Sequence, residues 1–172
     1  MDSHDRLTVS LYRASAATSA VGLVALAAGL FFGDGVNEAV LVVLAGALGS
    51  LVHLHLYSKR VRWVIQGAAA LGAWLVAAGA IAQIALVLQA GVGFLFVAVS
   101  ALAMKEAFCF RIPGLRAVGP LLAAGVGAWA FGADRAAAVL IGLAALPQLV
   151  LVVVKLRQPL HFDVGDRSRY EV

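Results

Sequence analysis

Charged residues are scarce in this sequence, and so are cysteines. Only 13% of the 172 residues are Asp, Glu, Lys or Arg, and the single cysteine is Cys109. One cysteine excludes an intrachain disulfide and a multi-cysteine metal site. A soluble domain of this length needs more polar surface than so few charges provide. The sequence also has no Walker A motif, no dinucleotide-binding glycine pattern and no HExxH motif.

Apolar residues are abundant instead. They make up 63% of the chain, and its mean hydropathy is +0.97. A helical bundle in lipid tolerates this composition, because the bilayer replaces water as the solvent. The pattern predicts an all-α bundle of six transmembrane helices that form one polytopic membrane domain, residues 1–172. The predicted spans are approximately 14–32, 36–57, 63–83, 88–107, 118–131 and 136–155.

The third and fourth spans come from one uncharged run, Trp63 to Met104. As a single helix this run would be roughly 63 Å long, about twice the ~30 Å hydrocarbon core of a bilayer. It must therefore turn back on itself, and we place the turn between Ala82 and Gly91, near Gln83 and Gln89.

The basic residues alternate with the spans. Twelve of the 13 Lys and Arg residues can be placed on one side of the membrane: Arg6, Arg13, Lys59, Arg60, Arg62, Lys105, Arg111, Arg116, Lys155, Arg157, Arg167 and Arg169. The other connections hold Asp34, Glu38, Asp134 and Arg135. The positive-inside rule then predicts a multi-pass membrane protein with both termini in the cytoplasm. The first span resembles a signal peptide but is too long for one, so we expect it to be retained.

Polar side chains just inside the predicted cytoplasmic boundary form the candidate site. In an apolar bundle such groups usually face one another or a wet cavity. His53, Gln66 and Ser100 lie roughly 6–9 Å inside the nearest basic residues, at 1.5 Å per residue. Glu106 would lie at the cavity mouth. The predicted polar cavity is formed by His53, His55, Gln66, Ser100, Glu106 and Gln148.

A metal or haem site is the alternative interpretation of these residues, because histidine, carboxylate and thiol are all ligand types. Residues two apart on a helix point about 200° apart. His53 and His55 therefore cannot both face one metal unless the helix is unwound there. Glu106 and Cys109 are three apart and would share a face. We predict no metal and no cofactor.

The end of the fourth span carries a family resemblance. Residues 104–111 read Met-Lys-Glu-Ala-Phe-Cys-Phe-Arg, and the second span ends in His-Leu-His-Leu-Tyr at residues 53–57. These segments, with the size and six-span layout, resemble the DUF2301 family of uncharacterised bacterial integral membrane proteins. The resemblance implies a protein of the bacterial inner membrane with unknown function and supplies no catalytic residues. It marks a cytoplasmic helix-end motif, Lys105, Glu106, Cys109 and Arg111, as the place to look for a site.

Three functions remain open from the sequence. A non-enzymatic accessory or assembly role is favoured, because no charge lies deep within a span and no catalytic set is visible. A small-molecule or ion permease is the alternative, supported by the polar inner half and by a helix-kinking proline, Pro147. A membrane redox or metal-binding enzyme is third. The predicted partners are the lipid bilayer and a membrane protein or a second copy of the chain. No nucleic acid is predicted, because the basic residues lie where they set topology and meet anionic headgroups.

Overall fold

A computed structural model describes residues 3–53, 58–160 and 163 of the chain. All regular structure among these residues is helical. The elements are α1 (Ser3–Phe32), α2 (Val36–Val52), α3 (Lys59–Ala82), α4 (Ala85–Cys109), α5 (Val118–Ala130) and α6 (Asp134–Arg157), with a 3₁₀ turn, Leu115–Ala117, before α5. The predicted all-α class with six helices is confirmed. α1, α3, α4 and α6 are long and apolar enough to cross a membrane, whereas α2 and α5 are shorter apolar helices.

The helix ends differ from the predicted spans in several places, including α3, which begins at Lys59 rather than at residue 63. α1 begins at Ser3, because its polar first turns continue the helix beyond the apolar stretch that defined the span. α2 ends at Val52, before the predicted end at residue 57, and residues 54–57 lie outside the described part of the chain. α4 begins at Ala85 rather than at residue 88.

The turn between α3 and α4 is only two residues long. Gln83 adopts the left-handed conformation at φ 57°, and its side-chain amide donates to the Ala80 carbonyl oxygen at 2.7 Å. The N–H of Ile84 reaches back to the Gly79 carbonyl oxygen at 2.9 Å. These bonds satisfy carbonyls that the end of α3 would otherwise leave without partners. The long uncharged run is therefore an antiparallel hairpin.

Close backbone approach holds the hairpins together. A Cβ atom at Gly22 of α1 would lie 2.7 Å from the Val43 nitrogen of α2, and one at Gly91 of α4 would lie 2.5 Å from the Val76 nitrogen of α3. Real Cβ atoms do not approach so closely, so both contacts depend on glycine. Small residues at such crossings are how helices associate in lipid, where no hydrophobic drive brings them together.

The antiparallel order divides the bundle into two ends. α1 packs on α2 and α6, α4 packs on α3 and α5, and α5 packs on α6. The N-terminal ends of α1, α3 and α5 and the C-terminal ends of α2, α4 and α6 therefore share one end, which we call the basic end. It carries Arg6, Arg13, Lys59, Arg60, Arg62, Lys105, Arg111, Arg116, Lys155 and Arg157. At the opposite end the α1–α2 and α5–α6 loops line one shallow depression with Asp134 and Arg135.

Candidate functional site

Glu106 lies in the last turn of α4 and points into the bundle, where it is 3% exposed. The Tyr12 hydroxyl of α1 donates to Glu106 Oε1 at 2.7 Å. The Lys155 ammonium of α6 lies 3.1 Å from Oε2, and the Lys105 ammonium lies 3.7 Å from Oε1. An isolated carboxylate would be costly to bury. The partners of Glu106, which come from α1, α4 and α6, offset this cost.

Tyr12 also contacts the two lysines through its ring. The ammonium groups of Lys105 and Lys155 lie 5.1 Å and 5.0 Å from the ring centroid of Tyr12. Lys155 lies 5.4 Å from the ring of Phe110 as well. A cation at this distance is attracted by the negative face of the ring. One tyrosine therefore binds the carboxylate by its hydroxyl and the cations by its ring.

Three residues beyond α6, namely Gln158, Pro159 and Asp163, contact Arg13 of α1, and we call them the end segment. The Arg13 Nε donates to Asp163 Oδ2 at 2.7 Å, and its Nη1 and Nη2 donate to the carbonyl oxygens of Gln158 at 2.7 Å and Pro159 at 3.1 Å. The second carboxylate oxygen of Asp163 bonds the Lys155 ammonium. Arg13 and Lys155 are both buried, so Asp163 pairs with two cations that are shielded from water.

Asp163 is held in its charged form. Burial raises the pKa of its carboxyl, but the hydrogen bonds and charges of Lys155 and Arg13 outweigh burial, and the pKa lies below its ordinary value. Asp163 is therefore an anion at neutral pH. We call the connected set the ion cluster: Tyr12, Arg13, Lys105, Glu106, Lys155 and Asp163. Three cations face two carboxylates, so the cluster carries one net positive charge.

A small cavity adjoins the ion cluster between α1, α2, α4 and α6. It leaves about 20 Å³ for the centre of a water molecule, which is enough for one ordered water. The Ser19 hydroxyl is buried there with no hydrogen-bond partner in the described part of the chain. The Ser50 hydroxyl donates to the Gly46 carbonyl oxygen at 2.8 Å. The lining consists of Tyr12, Ala16, Ser19, Ser50, Val99, Leu102, Glu106, Gln148, Leu151 and Lys155.

Helix spacing sets the direction of the cavity. Tyr12 and Ser19 are seven residues apart on α1, and Gln148 and Lys155 are seven apart on α6. Seven residues make two turns, about 10 Å, and return a side chain to the same face. The lining therefore runs from the ion cluster towards the middle of the bundle and changes from charged to uncharged polar groups.

Two of the residues predicted for the polar cavity lie together. Glu106 and Gln148 both line the cavity described above. Ser100 is half-buried and faces α5 instead, because a Cβ atom at Gly119 would lie 3.4 Å from the Ser100 Cβ.

The predicted residues at the α2–α3 connection lie elsewhere. Gln66 is exposed, and its side-chain amide lies 3.4 Å from the Leu51 carbonyl oxygen that it bonds. His53 is half-buried, caps the C-terminal end of α2 and does not line the cavity. His55 lies outside the described residues.

The helix-end motif is divided between interior and surface. Glu106 is buried and Lys105 is partly buried, whereas Cys109 and Arg111 are exposed. Glu106 and Cys109 therefore do not share an environment, although they are three residues apart. Across residues 3–53, 58–160 and 163, no three His, Cys, Asp or Glu side chains are grouped as a metal site requires.

Sequence reasoning missed most of the ion cluster. Arg13 and Lys155 were interpreted only as topology signals, and Tyr12 has the position of an interfacial aromatic. The seven-residue spacing of Tyr12 from Ser19, and of Lys155 from Gln148, is a signal that these residues share a face. No local pattern indicates Asp163, because its partners are distant in the sequence.

The fold and the buried ion cluster define an all-helical integral membrane protein with several candidate spans. The chain belongs to the family described as "Uncharacterized integral membrane protein (DUF2301)", which matches residues 49–172 and confirms the resemblance of residues 104–111. The chain is also similar to a Haemophilus influenzae protein described as an uncharacterized protein. The two are 28% identical over 172 residues, which is 100% of this chain and 95% of that protein. No solved structure matches the chain.

Proposed function

We propose that the protein is a permease for a small molecule or ion, and that the ion cluster lies at the cytoplasmic mouth of its path. The observation that supports this function is the Glu106–Lys155 pair, buried beside a cavity that continues to Ser19 and Gln148. Ionisable residues buried in membrane bundles are expensive and usually mark ion or substrate paths. The proposal includes the bacterial inner membrane and both termini in the cytoplasm, because the basic end then follows the positive-inside rule.

A purely structural role explains the ion cluster less well. Replacing a buried ion pair with apolar residues of similar volume is often neutral or stabilising. Apolar side chains would therefore hold α1, α4 and α6 together without any desolvation cost. Keeping Arg13, Glu106 and Lys155 in the interior favours a role that needs their charge.

In this conformation the path is closed. The cavity admits about one water. Arg13 and Lys155 also bind residues beyond α6, Gln158 and Asp163, at the basic end of the bundle. Passage of a solute requires the Asp163 contacts to open and the helices around Glu106 to separate. The described state therefore corresponds to the resting form of the proposed permease.

The accessory or assembly role predicted from composition competes with this proposal. Partner capture in gentle detergent, together with no solute flux, would support that role. A visible absorption band or bound metal in the purified protein would support the redox alternative.

Reconstitution into liposomes tests the proposal. We would measure the efflux of small cations, anions and neutral solutes from vesicles with and without the protein. We expect one class to leave faster when the protein is present, and Glu106→Gln to slow it. Glu38→Gln is the matched control, because Glu38 is an exposed carboxylate in the first turn of α2 at the opposite end. Equal efflux with and without the protein, or equal slowing by both variants, would reject the permease.

A further inference from the structure

We infer that Arg13 and Lys155 form a binding site for a small carboxylate, which Asp163 of the same chain occupies in this structure. The inference deepens the proposed function and rests on it, because it names the class of solute.

The two halves of the Asp163 contact come from different parts of the fold. The cations belong to α1 and α6 and are built into the bundle, where Arg13 is 7% exposed and Lys155 is 2% exposed. The carboxylate belongs to a residue beyond the end of α6. One of its oxygens accepts Arg13 Nε at 2.7 Å, and the other bonds the Lys155 ammonium. The bundle therefore supplies a site with two cations, and the end segment supplies the anion.

Departure of this segment would create a charge deficit. Lys155 would keep its contact with Glu106 at 3.1 Å. Arg13 would lose Asp163 and also the carbonyl oxygens of Gln158 and Pro159, because all three belong to the segment. The cluster would then carry two net positive charges in place of one. With two net positive charges and the Arg13 guanidinium uncovered, the opened site should attract an anion.

The geometry favours a carboxylate over other anions. A planar carboxylate presents two oxygens, and here one meets a guanidinium while the other meets an ammonium, an arrangement that suits charge-assisted hydrogen bonds. Beyond its Cα atom the Asp163 side chain has the same heavy atoms as acetate, so acetate fits the vacated space. The rings of Tyr12 and Phe110 lie 5.0 Å and 5.4 Å from the Lys155 ammonium and offer apolar contact to a short tail.

Chemical rescue of the full-length chain tests the site. We expect Asp163→Gly, which removes all four side-chain heavy atoms, to lower the Tm in detergent, and acetate to restore it saturably. Chloride and phosphate at matched ionic strength should not restore it. The double variant Arg13→Gln/Asp163→Gly should not respond to acetate. Asp134→Asn is the control, because it removes an exposed carboxylate at the opposite end. Recovery by chloride or phosphate equal to that by acetate would overturn the carboxylate assignment.

A second measurement covers the case in which Asp163→Gly does not fold. In the wild-type protein, acetate should compete with Asp163 and expose the Arg157–Gln158 bond to trypsin. The acetate must exceed the roughly millimolar effective concentration of a short tether. Faster cleavage in acetate than in chloride would support the site, and equal rates would overturn it. Flux without an acetate effect would leave the permease standing and reject this inference. An acetate effect without flux would support the carboxylate site and reject the permease.

Discussion

The ammonium of Lys155 lies 3.1 Å from the carboxylate of Glu106, although the two residues end different helices and are 49 positions apart. Tyr12 completes the contact from a third helix. Lys155 belongs to the basic residues that signal topology, yet it is only 2% exposed. The basic end of this bundle is a charged surface with a charged interior beneath it.

Loss of the Glu106 carboxylate should destabilise the protein. Removing one partner of a buried pair costs roughly 3–5 kcal/mol, and we expect about 2–3 kcal/mol for Glu106→Gln because Lys155 keeps Asp163. Unfolding in detergent, followed by heat or denaturant, measures the difference. Glu38→Gln, which changes an exposed carboxylate, should cost less than about 0.5 kcal/mol. Similar losses for the two variants would show that Glu106 is not specially paired.

The hydroxyl and the ring of Tyr12 should contribute separately. Tyr12→Phe removes the donor to Glu106 and keeps the ring, so we expect a loss of about 1.5–3 kcal/mol, the value of a hydrogen bond to a charged group. Tyr12→Ala also removes the ring that faces Lys105 and Lys155, and large-to-small changes of this kind cost about 3–5 kcal/mol. The free energies of unfolding of both variants measure the two parts. An unchanged Tyr12→Phe variant would contradict the hydrogen bond.

The α1–α2 crossing should not tolerate a methyl group at Gly46. A Cβ atom there would collide with the backbone of Ser19, and overpacking costs about 1–3 kcal/mol. Gly127 of α5 is the control, because a Cβ atom there meets open space. Gly127→Ala should be neutral or stabilising by up to about 1 kcal/mol from helix propensity. Gly46→Ala should therefore lower the Tm and Gly127→Ala should not, and a Tm loss of equal size in both would count against the crossing.

The proposed orientation predicts which cysteines react from outside the cell. In a Cys109→Ser background, Asp34→Cys and Asp134→Cys should react with an impermeant maleimide added to intact cells. Ser58→Cys and Arg116→Cys should react only after the membrane is opened. Arg116 is preferred to Gly114 in the same connection, because the Gly114 φ of +87° would strain a cysteine side chain. Labelling of Ser58→Cys in intact cells would reverse the orientation.

The Asp163 contact should persist in mild acid. Because its pKa is lowered in the folded state, its stabilisation is complete above the unfolded value of about 3.9 and is lost as pH falls through the folded value. The Tm difference between the unaltered chain and Asp163→Asn should stay constant from pH 7 to 5 and shrink only below about pH 4. A Tm difference that already shrinks between pH 7 and 5 would contradict the pairing.

The candidate site was only partly predictable from the sequence. Glu106 and Gln148 were predicted and line one cavity, but His53, Gln66 and Ser100 do not line it. Depth along a helix could be counted from the basic residues, so the correct level was accessible. The direction of each side chain could not be predicted, because the apolar residues of α4 show almost no preference for one face of the helix. In lipid the outer face is as apolar as the core, so no periodicity marks the interior.

The sequence by itself determined the helical class, the number of helices, the location of the basic residues at one end and the family. The first three follow from hydropathy and charge along the chain, which are local properties that a bilayer converts directly into spans and ends. The family follows from the residues of particular segments, such as 104–111. Only the tertiary structure decided that Arg13 and Lys155 face inward and that Asp163 pairs with both of them. Those contacts join residues up to 150 positions apart. They depend on how the helices are rotated, which close packing at small residues such as Gly22 and Gly91 sets and hydropathy does not.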